Sequence, residues 1–410
     1  MYTTCGALGR HFLCLLGVCR YRPSPRSVEP GAEIDFMIIH VIDNLRPASG
    51  GPTTVVIQLA EKQAEAGKQV HVICREGPDV PSERESLERR WDRAGIGWTE
   101  TCSIPFSRRS AEIEARIAAM TPRVVHLHCV WEGILRSAQA ACRRINTPTV
   151  MSTHGMLHPY VLGQKSLKKA AYLALFGNVV RANRVLLALN EEERSYIHAR
   201  FSVPATVLPN AVDAGIYNRP HSGVFRASIP ALQGKPFILF VGRLHPIKGI
   251  DQLVNSYAMS RAQGVAHHLV IAGPDDGARS ALLSLVDRLG VADCVHLAGP
   301  VWGDMKVAAL TECDIFAHRP RFEGFGIAVA EAMAAGKPVV TTRKCLLDGA
   351  ADAAAVFASP DSDGEFASAL VRVCSDATLR LRLGDSARRW VSEQLSWHRV
   401  LEIADDAYSF

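Results

Sequence analysis

An arginine and a lysine five positions apart, Arg243 and Lys248, stand in the stretch VGRLHPIKG directly after an apolar run at 237–241. Two fixed cations at a strand end suit a diphosphate, because a guanidinium fork binds oxygens bidentately and an ammonium adds a point charge. A solvated basic loop would look the same in isolation. Further on, EGFGIAVAEAMAAG places Glu323 and Glu331 eight positions apart around a glycine turn, with Gly324, Phe325 and Gly326 between them. Glu323 would lie on the entry loop and Glu331 inside a short helix capped by Gly336, so the two need not face each other. That argues against the paired acid and nucleophile of a glycoside hydrolase and suits contacts to two parts of one elongated ligand. A helix-dipole preference for acidic residues explains either glutamate alone but not the whole arrangement.

Two more loops follow predicted strands. Gly50-Gly51-Pro52 would let a ligand approach the backbone closely, and the helix it opens offers free N–H groups. The same triplet also fits a plain tight turn. His154, in STHGM, stands at a strand end where a histidine is either structural or functional. His126-Leu127-His128 could begin a metal site, but no third or fourth ligand is evident nearby in the sequence, so structural or substrate-contacting histidines are expected. A Gly-x-Gly-x-x-Gly after a strand is missing, which weakens a nicotinamide-cofactor enzyme. The absence of Gly-x-x-x-x-Gly-Lys-Ser/Thr excludes a P-loop NTPase.

The elements that must position these residues form two series. Strands are expected at 36–42, 69–74, 124–127, 149–152, 185–189 and 206–208, with helices such as 52–66 and 131–144 between them. A second alternating series has strands at 237–241, 268–272, 295–297, 314–317 and 338–341. Helices at 365–374 and 378–394 follow it. Such alternation predicts an α/β fold with parallel sheets covered on both faces, whose ligands bind at strand C-termini. The expected organisation is an extension at 1–33, one domain at 34–212, a linker at 213–235, a second domain at 236–394 and a closing helix at 395–410. That last helix could pack back on the first domain.

Composition agrees with globular domains: 410 residues, 48% hydrophobic and 21% charged, which excludes collagen-like, coiled-coil and mainly disordered chains. The net charge of +5 does not by itself suggest a nucleic-acid partner. Eleven scattered cysteines without a Cys-x-x-Cys pair fit a reducing cytoplasm. The apolar run at 12–19 is too short to span a bilayer, which takes ~20 residues.

Together these motifs resemble the retaining nucleotide-sugar glycosyltransferases of family 4, the group 1 enzymes with a GT-B fold. The likeness covers about residues 36–410. Glu-x7-Glu around Gly-Phe-Gly is its most specific part, with Arg-x4-Lys upstream, and LPNAVD at 208–213 also looks like a family segment. STHGMLHPYVLGQ at 152–164 is similar to bacterial exopolysaccharide and surface-polysaccharide members. The resemblance implies two Rossmann-like domains facing a central cleft. It gives Arg243 and Lys248 the donor diphosphate, Glu331 the ribose hydroxyls and Glu323 the transferred sugar. Phe325 and Gly326 N–H groups would meet the distal phosphate or sugar, and Gly51 would approach the phosphates. His154 would lie near sugar and acceptor.

It further implies a cytoplasmic enzyme with no metal cofactor that adds one sugar to a glycan or lipid-linked acceptor in polysaccharide or lipopolysaccharide assembly. The alternative is a catalytically inactive GT-B scaffold in the same pathway. Departures from the family pattern fall at Ala317-His318-Arg319-Pro320-Arg321-Phe322, where relatives usually carry Pro-Ser, and in the loop after Thr342. Residues 160–185 hold Lys165, Lys168, Lys169, Arg181 and Arg184 and no acidic residue. A basic amphipathic helix there could rest on an anionic membrane surface, or it could pack through Leu167, Tyr172, Leu175 and Phe176.

Overall fold

A strand buried on both faces pairs in parallel with its neighbours, and its connections must cross the sheet faces as helices. The computed structural model has this arrangement twice and describes residues 36–46, 50–101, 106–218, 223–345, 347, 349 and 355–410. The expected extension at 1–33 lies outside the described residues, as do 47–49 and much of the loop after Thr342.

The first unit runs to Leu208 and includes Leu401–Phe410. Its sheet contains β1 (Met37–Asn44), β2 (Gln69–Glu76), β3 (Gly97–Glu100), β4 (Val124–His128), β5 (Thr149–Ser152), β6 (Val185–Ala188) and β7 (Ala205–Val207). The strand order is β3-β2-β1-β4-β5-β6-β7, all parallel. Side chains alternate between faces along a strand. Ile39 and Val41 therefore join Val125, Leu127 and Met151 in a core with Ile134, Leu135 and Ala138 of the helix Gly133–Arg144. On the opposite face, Ile42, Val70, Val72 and Cys74 pack with Val56 and Ala60 of the helix Gly51–Glu65 and with Leu87 and Trp91. By the same parity His40, His126 and His128 fall on this second face.

The second unit is Pro209–Val400. Its strands are β8 (Phe237–Val241), β9 (His268–Ala272), β10 (Val295–Gly299), β11 (Ile315–Ala317), β12 (Val339–Thr342) and β13 (Val356–Ala358), in the order β10-β9-β8-β11-β12-β13. These pairs are parallel too. Ile238, Phe240, Ile271 and Ile315 pack with Leu253, Tyr257, Phe366 and Leu370 from covering helices. Each such buried side chain is worth ~1.5–3 kcal/mol of transfer free energy.

Within the expected linker at 213–235, the described residues form short turns at Ala214–Tyr217, Val224–Ala227 and Pro230–Leu232 and group with the second unit. Phe225 and Leu232 are buried, and the Phe225 and Arg226 N–H groups donate to the Glu312 carboxylate. Prolines and glycines hid this packing, because irregular backbone has no period to read. Among the described residues no helix is long and apolar enough to cross a membrane.

Candidate functional site

In an open α/β sheet the crevice for ligands opens where the strand order reverses, beyond the strand C-termini. That point lies between β8 and β11 in the second sheet and between β1 and β4 in the first. The loops leaving β8 and β11 carry the residues that spacing singled out.

After β8 the chain stays against the sheet, with Gly242 N donating to Ala272 O at 3.0 Å and Leu244 N to Pro274 O at 2.8 Å. His245 then caps a 3-10 turn, Pro246–Lys248, by accepting from Ile247 N at 3.1 Å. This turn aims Lys248 at Glu323, and Lys248 Nζ donates to Glu323 Oε2. His318, immediately after β11, meets the same carboxylate oxygen through Nε2 at 3.2 Å. Arg243 points elsewhere and pairs with Asp276 at the surface.

The Lys248–Glu323–His318 cluster is nearly closed to water, with 19% and 18% exposure for the Lys248 and Glu323 side chains and 3% for His318. Burial alone would raise the Glu323 carboxyl. The Lys248 charge and the His318 hydrogen bond outweigh it and bring the group down to about 2. Burial lowers His318, and Glu323 only partly offsets that, so a neutral His318 donates from Nε2. Glu323 is therefore an ionised, acceptor-only group at neutral pH.

The glycines after Glu323 have a geometric reason. Gly326 adopts φ +75° and opens the helix Ile327–Ala334, and a Cβ there would stand 2.4 Å from Cys345 Sγ. Glu323 N also donates to Lys344 O at 2.9 Å. The unusual loop after Thr342 thus still clamps the Glu323 turn through its main chain. Glu331 lies inside that helix, away from the Lys248 cluster, and pairs with Lys306 Nζ at 2.6 Å. Tyr217, raised by burial, also bonds to Glu331.

The departures before Glu323 act as braces. Arg319 is buried and donates to Gln252 O at 2.9 Å, to Ser256 Oγ at 3.1 Å and to Asp363. Arg321 holds Asp251 bidentately at 2.8 and 2.6 Å. His318, Asp276 and Lys306 were not assigned roles from sequence. Only His318 left a signal, as a polar residue at the end of an apolar strand.

In the first unit, Gly50 has φ +97° and precedes the helix Gly51–Glu65 at the end of β1. A Cβ on Gly51 would meet nothing within 4 Å, so the unit's own packing does not ask for glycine there. His154 follows β5 with φ +50°. The buried Glu193 carboxylate fixes its loop, accepting from Thr153 Oγ1 at 2.8 Å and Leu157 N at 3.2 Å. His126 and His128 do have a third nearby histidine, His40 of β1, and ligand atoms of the three lie within 4.8 Å of one another.

Comparison with known proteins gives two family matches. Residues 224–390 match the family described as glycosyl transferases group 1, and residues 49–215 match glycosyltransferase family 4. A D-inositol 3-phosphate glycosyltransferase of Thermomonospora curvata is 24% identical, over 93% of this chain and 96% of its own length. Among solved structures, Anabaena HepE in complex with UDP-glucose superposes with a TM-score of 0.73 at 18% identity, covering 92% of this chain and all of HepE. WaaG, a glycosyltransferase involved in lipopolysaccharide biosynthesis, gives 0.67 at 17% identity over 90% of this chain and 99% of its own.

Proposed function

Because the chain is a glycosyltransferase of group 1 type with a GT-B fold, matched in both halves, we propose that it transfers one sugar from a nucleoside-diphosphate sugar, with retention of configuration. The proposed acceptor is a glycan or a lipid-linked acceptor in bacterial surface-polysaccharide biosynthesis. The observation that carries this reading is the nearly closed Lys248–Glu323–His318 cluster, with Arg243 on the same β8 loop, at the reversal point of the second sheet.

Cleavage of the sugar–phosphate bond pushes negative charge onto the departing nucleoside diphosphate. Fixed cations and a helix N-terminus stabilise that charge, and the reading assigns no role to a metal. Among the described residues Arg243 pairs with Asp276 at the surface (56% and 42% side-chain exposure), and a phosphate displaces such an exposed pair at little cost. Lys248 stays beside Glu323, whose charged oxygens accept hydroxyls of the transferred sugar. An ionised Glu323 cannot be a general acid, which fits a reaction where the leaving group is already anionic. Glu331 takes the ribose hydroxyls, and the Phe325 and Gly326 N–H groups meet the distal phosphate or sugar. In the first unit, the reading gives Gly50 and Gly51 a phosphate-binding role and His154 a sugar- and acceptor-binding role.

Peripheral membrane contact belongs to the same proposal. The helix Ser166–Phe176 has no buried residue, and Leu167 and Leu175 are 87% and 74% exposed. Tyr172 faces inward instead, donating to Val130 O at 3.2 Å. Two exposed leucines among Lys165 and Lys168 suit an anionic bilayer that presents a lipid-linked acceptor.

Thermal unfolding with UDP, GDP, ADP and NAD, on wild type and Arg243→Ala, tests the donor site. A ligand at 100 times its Kd adds ~2.7 kcal/mol to the native state. The expected result is a raised midpoint with one nucleoside diphosphate, lost in Arg243→Ala. No shift with any diphosphate would leave the inactive scaffold, and a shift with NAD alone would overturn the reading.

A further inference from the structure

Seven residues of the first unit form one directed line of hydrogen bonds with a side branch. Parallel register sets His40 of β1 beside His126 of β4, and His128 beside Ser152 of β5. Period two keeps all four on the face covered by the helix that carries Gln63. Gln63 Nε2 donates to the Tyr408 hydroxyl at 3.1 Å, and Gln63 Oε1 lies 2.6 Å from His40 Nε2. His40 Nδ1 meets His128 Nε2 at 2.9 Å, and His128 Nδ1 meets His154 Nε2 at 3.1 Å. The branch runs from Tyr408 to His126 Nδ1 and from His126 Nε2 to Ser152 Oγ, both 2.8 Å. Gln63, His40, His126, His128 and Tyr408 are wholly buried, whereas His154 is partly exposed.

The direction of this line follows from one atom. An amide oxygen only accepts, so His40 carries its proton on Nε2 and offers a lone pair at Nδ1. His128 must then donate from Nε2 and accept at Nδ1. His154 in turn donates from Nε2 and keeps its Nδ1 lone pair. Burial holds His40 and His154 at about 4 and His126 and His128 well below their ordinary value, so the four rings are neutral at pH 7. Turning the Gln63 amide over would reverse every bond and make His154 Nδ1 a donor.

We propose that Gln63 is a positioning residue whose amide oxygen sets the tautomer of His154 across three hydrogen bonds, presenting its Nδ1 lone pair as the acceptor for a sugar hydroxyl. The sugar hydroxyl rests on the glycosyltransfer reading; the relay itself does not. A wrong tautomer at intact geometry is a known way to lose turnover while keeping binding. The relay also outweighs a metal at the three buried histidines. Every ring nitrogen of His40, His126 and His128 already has a partner, and an ion would have to break those bonds.

The test is two-bond ¹H–¹⁵N correlation of the full chain labelled with ¹⁵N-histidine. Wild type should show His154 protonated on Nε2. Gln63→Leu removes the acceptor that fixes the His40 proton, and His154 should become a mixture of tautomers. Ser152→Ala cuts only the branch and should leave His154 unchanged. Gln63→Glu keeps an acceptor-only oxygen beside His40 Nε2, should keep His154 protonated on Nε2, and serves if Gln63→Leu does not fold. His154 protonated on Nδ1 in wild type or in Gln63→Glu, or unmoved by Gln63→Leu, would overturn the relay. So would one zinc per chain held at these histidines after incubation with zinc chloride and dialysis.

With the donor identified by the nucleotide shifts, kcat should fall with the remaining Nε2–H fraction, about two-fold for an equal mixture, with KM for the donor unchanged. A kcat that ignores the tautomer fraction would overturn the coupling. A wild type that transfers no sugar would overturn the functional reading, and the spectra would still decide the relay.

Discussion

Arg243 and Lys248 look equivalent in the sequence, yet their environments give them different consequences on removal. Lys248→Ala removes the cation beside an ionised Glu323 in a nearly closed cluster and leaves it the His318 hydrogen bond. Removing one partner of a buried pair costs ~3–5 kcal/mol, whereas an exposed pair such as Arg243–Asp276 is worth ~0.2–1 kcal/mol. Both substitutions should lower kcat/KM by ~10²–10³, or ~2.7–4 kcal/mol of transition-state stabilisation. Only Lys248→Ala should also unfold earlier in urea; near-wild-type turnover in both would refute the diphosphate roles. Glu323 adds a pH signature. Its folded value of about 2 lies below the ordinary 4.5, so its stabilisation is complete above pH 4.5 and is lost as pH falls toward 2. Urea midpoints of Glu323→Gln should be flatter with pH across that window than those of wild type. Spacing revealed Arg243, Lys248, Glu323 and Glu331, because loop residues beside an apolar strand are visible in one dimension. Their partners are Asp276 of another loop, Lys306 inside the helix Gly303–Glu312, and His318 five residues before Glu323 on the same loop, and pairing of this kind has no sequence period.

At the scale of elements, apolar runs located most strands, and the two that escaped are instructive. β3 (GWTE) and β13 (VFA) are short sheet-edge strands of four and three residues, with too few buried positions to make a run. The helix Ser166–Phe176 poses the opposite problem: its residues are apolar enough to suggest packing, but Leu167 and Leu175 reach solvent. If these leucines enter a bilayer, Leu167→Glu with Leu175→Glu should abolish co-sedimentation with vesicles containing anionic lipid. Lys165→Glu with Lys168→Glu should weaken it, by ~1 kcal/mol for each charge removed near the surface. Wild-type binding should also fall with added salt. Unchanged binding in the leucine variant, or no binding by wild type, would end the membrane proposal. Neither pair of changes removes a buried side chain, so folding should be unaffected.

For the molecule as a whole, alternation of strands and helices was sufficient to foresee two parallel sheets, while the boundary between units lay in irregular chain that no pattern marks. Each unit has its own sheet and core, so heat need not unfold both in a single transition. The units also differ in their buried histidines. In the first, burial lowers His40, His71 and His154 to about 4 and holds His126 and His128 well below the ordinary 6.5. In the second, His318 is the deeply buried member, and His267, His268 and His296 are less enclosed. A histidine kept neutral by burial binds its proton only after unfolding. Between pH 6.5 and 4 the unfolded chain therefore takes up more protons than the folded one, and stability falls as pH falls. The loss should be steeper for the first unit. Calorimetry at pH 7 and pH 5 measures it, with the stabilising nucleoside diphosphate marking the second unit, where Arg243, Lys248 and Glu331 lie. The unmarked transition should move down further on acidification, and equal movement of both would show that these histidines titrate in the folded state.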